Sequence, residues 1–95
     1  MKREYPEEFF SRGICFEKNE AYQKAIDDFS EVIKLNPVDA EAFYRRGVSY
    51  YHKGEDEKAT SDLKKAVDLG HSSARKFLKD IIILIITEWL EIVRI

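Results

Sequence analysis

Residues 6–39 read PEEFFSRGICFEKNEAYQKAIDDFSEVIKLNPVD, and residues 40–73 read AEAFYRRGVSYYHKGEDEKATSDLKKAVDLGHSS. The second stretch is a diverged copy of the first. A shift of 34 positions lays Glu7 on Glu41, Phe9 on Phe43, Arg12 on Arg46, Gly13 on Gly47, Lys24 on Lys58, Ala25 on Ala59, Asp28 on Asp62 and Leu35 on Leu69. Chemical type repeats where identity does not, with Ile14 on Val48, Phe16 on Tyr50, Phe29 on Leu63 and Val32 on Ala66. A fixed period of this length marks a repeat architecture, and it is the first feature to settle because it decides the fold.

Within each copy the apolar residues recur at three and four positions, as in Phe9, Gly13, Phe16 and in Ala21, Ala25, Phe29, Val32. That is the period of an amphipathic helix, so each copy is predicted to hold two helices. Pro6 suits a first helical turn, Glu7 and Glu8 sit where the helix dipole favours anions, and the polar Lys18 to Glu20 segment closes the helix. The second helix is expected from about Glu20 to Leu35, stopped by Asn36 and Pro37. Asp39 is the expected cap of a third helix that reaches Lys53, and Gly54 supplies the turn into a fourth, from Glu55 to Leu69, closed by Gly70. Ser72 or Ser73 is expected to cap a fifth helix running to the C-terminus.

These residues resemble the tetratricopeptide repeat, a helix-turn-helix unit of 34 residues. The small-residue sites of that unit carry Gly13, Ala25, Gly47 and Ala59, its large apolar sites carry Phe9, Phe16, Phe29, Phe43, Tyr50 and Leu63, and its terminal proline is Pro37. The resemblance implies an all-α fold: a right-handed superhelical stack of two hairpins, residues 6–39 and 40–73, plus one long helix over 74–95, in a single domain spanning 1–95. Glycine on one helix is expected to face alanine on the next, with aromatics filling the space around them. His71 stands where the second unit's proline belongs, and Ile81 stands where a third glycine belongs. The fifth helix is therefore read as a cap on the stack.

Composition narrows the function. Ninety-five residues suffice for one small core, and four Gly with two Pro leave little material for the many turns of an all-β fold. Sixteen basic against eighteen acidic residues, with no basic stripe, argue against a nucleic-acid partner. The longest unbroken apolar run, Ile81 to Ile86, is far short of the roughly 20 residues that span a bilayer. Cys15 is the single cysteine and is expected to act as a small buried hydrophobe, in accord with a reducing cytoplasm. Asp27 and Asp28 read as a solvated helix face, because adjacent helical residues do not converge on one point. His52 and His71 lack partners at metal-ligand spacing, and no glycine-rich phosphate loop occurs. Neither an enzyme nor a cofactor is expected.

In the resembled family the first helix of each hairpin lines a concave groove that holds a peptide or a partner helix. Mapped onto this chain, the groove side comprises Phe10, Ile14, Tyr44, Arg45, Val48 and Tyr51, with Arg75 and Lys79 added by the fifth helix. Aromatic and aliphatic anchors beside an arginine are what binding hot spots use. The branch of the family that clamps the terminal carboxylate of chaperones is disfavoured, since Phe10, Ile14 and Arg45 replace its Lys and Asn residues.

The fifth helix has a narrow polar strip of Lys76, Asp80, Thr87, Glu91 and Arg94, and is otherwise mostly apolar. A helix resting on one core needs an apolar stripe only about 100° wide, and a terminal cap should be polar outside. Leu78, Ile82, Ile85, Trp89 and Ile92 step by four, three, four and three residues, a short heptad-like seam. Homodimerisation through that seam is the first expectation, with an interfacial membrane helix, opposed by Glu88 and Glu91, and a further repeat of a longer chain as the alternatives. A protein or peptide partner is expected in the groove.

Overall fold

The computed structural model describes residues 5–94, which form five helices: α1 Pro6–Lys18, α2 Tyr22–Leu35, α3 Ala40–Lys53, α4 Asp56–Asp68 and α5 Ser72–Val93. Each helix packs against its successor in the chain, giving two antiparallel hairpins, α1–α2 and α3–α4, and an elongated body of 63 × 27 × 17 Å. The expected reach of α5 to Ile95 ends outside the described residues, and Val93 is the last helical residue among them.

The core runs along the line where the hairpins meet. Ala25, Ile26, Phe29 and Val32 of α2, Ala42 and Val48 of α3, and Ala59, Leu63 and Ala66 of α4 are buried, joined by Ala74 at the start of α5. Small residues alternate with large ones, which lets helices approach closely while Phe29 and Leu63 fill the remaining volume. A Cβ added at Gly47 would stand 3.0 Å from Leu63 Cγ and 3.2 Å from the Ala59 carbonyl, so glycine does face the expected alanine there. At Gly13 the nearest atoms all belong to Phe29, the counterpart of Leu63, whose ring edge lies 2.7 Å from the added Cβ.

The turns show one motif with different residues. Gly54 and Gly70 adopt left-handed φ values of 91° and 92°. The same place in the first hairpin is filled by Glu20 at φ 59°, so a non-glycine residue takes a conformation costing it about 1–2 kcal/mol. The Asp39 side chain accepts a hydrogen bond from the Ala42 amide at 3.0 Å, as its capping position implies.

At α5 the expected serine cap is corrected. The capping residue is His71, whose Nδ1 accepts from the Ala74 amide at 3.0 Å. The helix begins at Ser72 itself, one residue too early for Ser72 or Ser73 to precede it.

Candidate functional site

Two repeated ion pairs brace the hairpins. Arg12 donates from Nε and Nη2 to the two oxygens of Asp28, each at 2.8 Å, and Arg46 grips Asp62 in the same bidentate way at 2.7 and 2.8 Å. Asp28 is thus corrected from a solvated residue to a buried one, while Asp27 stays exposed. The pairs differ in depth. The Arg12 side chain is 60% exposed, whereas Arg46 is mostly covered, lies over Phe43 and Tyr50, and also donates to Ser30 Oγ at 3.1 Å. The hydrogen bond to Asp62 is the main cause that holds the Arg46 guanidinium pKa above its ordinary value, against the opposing effect of burial. The repetition of Arg12 and Asp28 at Arg46 and Asp62 was the sequence signal for these clamps. In the register of Arg12 and Arg46, α5 carries Asp80.

The residues expected to line a groove divide into two groups. Near the N-terminal end of α1, an open cavity of about 460 Å³ is lined by Pro6, Glu7, Phe10, Ser11, Val32, Asn36, Asp39 and Glu41. Phe10 packs edge-on against Phe29 with ring centroids 5.8 Å apart, and the Arg45 guanidinium sits 5.8 Å from the Phe10 ring centre. Arg45 bridges Glu17 at 3.1 Å and Glu41 at 2.9 Å. Ile14 is half-buried.

The second group is covered by the chain's own last helix. Phe77 of α5 stands edge-on to both Tyr44 and Tyr51, with centroids 6.3 and 5.5 Å away. Val48 is only 8% exposed, clustered with Leu63, Ala66 and Ala74 and overlaid by Leu78 and Ile81. Arg75 and Lys79 are exposed. Glu41 ties the two groups together, since its second oxygen lies 2.6 Å from His71 Nε2. With Nδ1 accepting from Ala74, that ring must donate from Nε2, and it stacks on Tyr44 at 4.5 Å. His71 therefore fastens α5 to α3, a role that its position in place of a proline did not announce.

The fifth helix is not seated as α3 is. Ala42 and Ser49 of α3 are buried, and their register equivalents in α5 are Lys76 and Ile83, both exposed. Side chains of that length cannot enter spaces cut for Ala and Ser. The helix turns instead about its own axis and presents Ala74, Phe77, Leu78 and Ile81 to the hairpins. Leu78, expected in an exposed seam, is thereby half-buried. Beyond it Ile82 to Ile86, Trp89, Leu90, Ile92 and Val93 are 48–70% exposed. Cys15 is corrected too: it is exposed. It shares the register of buried Ser49, but no earlier hairpin lies among the described residues to cover it. The Ser49 hydroxyl is buried without a hydrogen-bond partner.

This is a helical-repeat solenoid, in which binding surfaces are laid out along successive hairpins. Sequence models described as tetratricopeptide repeat match residues 6–39 and 40–69, and the chain belongs to that family, with two repeats. Such repeats generally mediate protein–protein interaction. No curated protein matches the chain. No described helix is long and apolar enough to cross a membrane.

Proposed function

We propose that this chain is a non-catalytic adaptor of the cytoplasm that holds a peptide or helix of a protein partner on its concave side. The observation that carries the reading is the open cavity at the α1–α3 end, where Phe10 offers an aromatic wall and Glu41, also on the lining, helps Glu17 hold Arg45 against the Phe10 ring beside the cavity. Ile14 extends the apolar wall, Tyr44, Val48 and Tyr51 form the packed floor that orders α3, and Arg75 and Lys79 offer charge at the far rim. An exposed thiol at Cys15 accords with a reducing compartment.

Peptides selected from a random display library on the immobilised chain test this reading by calorimetry. Phe10→Ala and Arg45→Gln should each weaken the selected peptides at least roughly tenfold, the loss of one modest hot spot. Selected peptides indifferent to both substitutions would contradict it.

A second reading, self-assembly through α5, is favoured by a separate observation. Nine large apolar residues between Ile82 and Val93 expose about half or more of their surface. Isolated exposed apolar residues are ordinary, but a contiguous patch of this kind marks an interaction surface.

A further inference from the structure

We propose that residues 82–93 of α5 pair antiparallel with α5 of a second copy of this chain, each Trp89 seating in a crook of the other copy. The proposal rests on the self-assembly reading and adds to it an orientation, a register and an anchor.

Spacing permits the antiparallel orientation, and the placement of the hairpin stacks selects it. The exposed residues Ile82, Ile85, Trp89 and Ile92 are separated by three, four and three positions, a series that reads alike in both directions about residue 87. A helix turned end for end therefore meets its copy residue for residue, Ile82 against Ile92 and Ile85 against Trp89. A two-fold axis requires that reciprocity, residue i touching j wherever j touches i. Antiparallel pairing also carries the two hairpin stacks to opposite ends, whereas parallel pairing crowds them side by side.

A cavity supplies the anchor. Between α5 and the α3–α4 hairpin lies a partly open crook of about 210 Å³, lined by Tyr51, Thr60, Ile81, Leu84 and Ile85, with the carboxylates of Asp56 and Glu88 beside them. It adjoins Ile85, the residue the register sets opposite the partner's Trp89. An indole has an apolar body and one N–H donor that needs an acceptor once buried, and the crook offers apolar walls and two carboxylates.

Area supports the same occupant. At ~200 Å² for a fully exposed aliphatic side chain, the nine residues present on the order of 1,000 Å² per chain, so covering half on each copy reaches the roughly 1,000 Å² total that a specific interface needs. A further hairpin helix is a poorer occupant, because α5 replaces both devices by which the repeats grip their second helices. Ile81 stands in the register of Gly13 and Gly47, and Asp80 in that of Arg12 and Arg46. A membrane surface is a poorer occupant as well, since Glu88 and Glu91 punctuate the segment.

Trp89 is the single tryptophan, so its emission reports the crook directly. Emission of the full chain, followed from millimolar to nanomolar concentration, should move from blue to red as the dimer dissociates. Ile85→Lys, with its helical circular dichroism intact, should weaken the dimer at least roughly thirtyfold, and Phe10→Ala should leave it unchanged. Spin labels on Lys76→Cys in a Cys15→Ser background should stand about 33 Å apart along the axis at 1.5 Å per residue, against roughly 10 Å for a parallel pair. A monomer throughout overturns both this proposal and the self-assembly reading. A dimer whose Trp89 emits as if in water, or whose labels are close, overturns the pairing and leaves self-assembly standing. A monomer whose emission turns blue only on adding phosphatidylglycerol vesicles overturns both in favour of a lipid surface.

Discussion

In the hairpins, Gly13 and Gly47 admit a second helix at contact distance, and Arg12 and Arg46 reach across to clamp buried carboxylates. In α5 the same places hold Ile81 and Asp80, and the small residues that seat α3, Ala42 and Ser49, become Lys76 and Ile83. Four substitutions in one register thus convert a helix that is gripped on two sides into one gripped on one side. Its first three turns close the core, and the remaining turns present an apolar surface. A repeat is a packing recipe, and losing its small residues frees a helix for another use.

The comparison breaks most sharply by truncation. Phe29→Ala should cost about 3–5 kcal/mol in urea unfolding, because Phe29 is fully buried and its space cannot collapse, whereas Ile86→Ala should cost under about 0.5 kcal/mol at concentrations where the chain is monomeric. Equal losses would mean that the distal part of α5 is covered within the chain.

The two clamps come next. Asp62→Ala strands the largely covered Arg46 and should cost about 3 kcal/mol, while Asp28→Ala removes the partner of a 60% exposed side chain whose guanidinium still lies over Phe9 and should cost about 1 kcal/mol. Urea midpoints of the two variants check the ordering, and a reversed order would contradict the burial difference.

Detaching α5 is a smaller effect. His71→Ala removes the cap, the stacking on Tyr44 and the link to Glu41, for about 1–2 kcal/mol, and should speed amide exchange in the first turn of α5. His71→Asn restores an acceptor for the Ala74 amide and should recover about half of that loss. Exchange confined elsewhere would show that His71 is not the fastening.

Two substitutions should stabilise the chain. Glu20→Gly relieves the left-handed backbone at the first turn, and Ser49→Ala removes a buried hydroxyl without a partner, each for about 1 kcal/mol in thermal unfolding. A loss on Glu20→Gly would mean that the side chain holds the turn by a contact outweighing its strain.

Much of the fold was legible because its determinants are local and repeated. The 3.6-residue pattern, Pro37, Gly54 and Asp39 each act over a few residues and recur with the period of 34, and every expected helix bound among the described residues is met within two residues. The clamps were present as repeated Arg and Asp identities, but their meaning needed the crossing of two helices. The rotation of α5 was not legible, since it follows from whether Lys76 and Ile83 fit against a neighbouring hairpin, a long-range question. For the same reason Tyr44, Val48 and Tyr51, groove residues by register, lie beneath Phe77. His71 escaped because serine is the commoner helix cap and two serines follow it.

The contrast between a gripped and a presented half of α5 is tested most directly by the molar mass in solution, measured by light scattering over a wide concentration range. The account predicts a rise with concentration from the monomer mass of 11.2 kDa to twice that value, and no further. A mass that stays at 11.2 kDa throughout would contradict it.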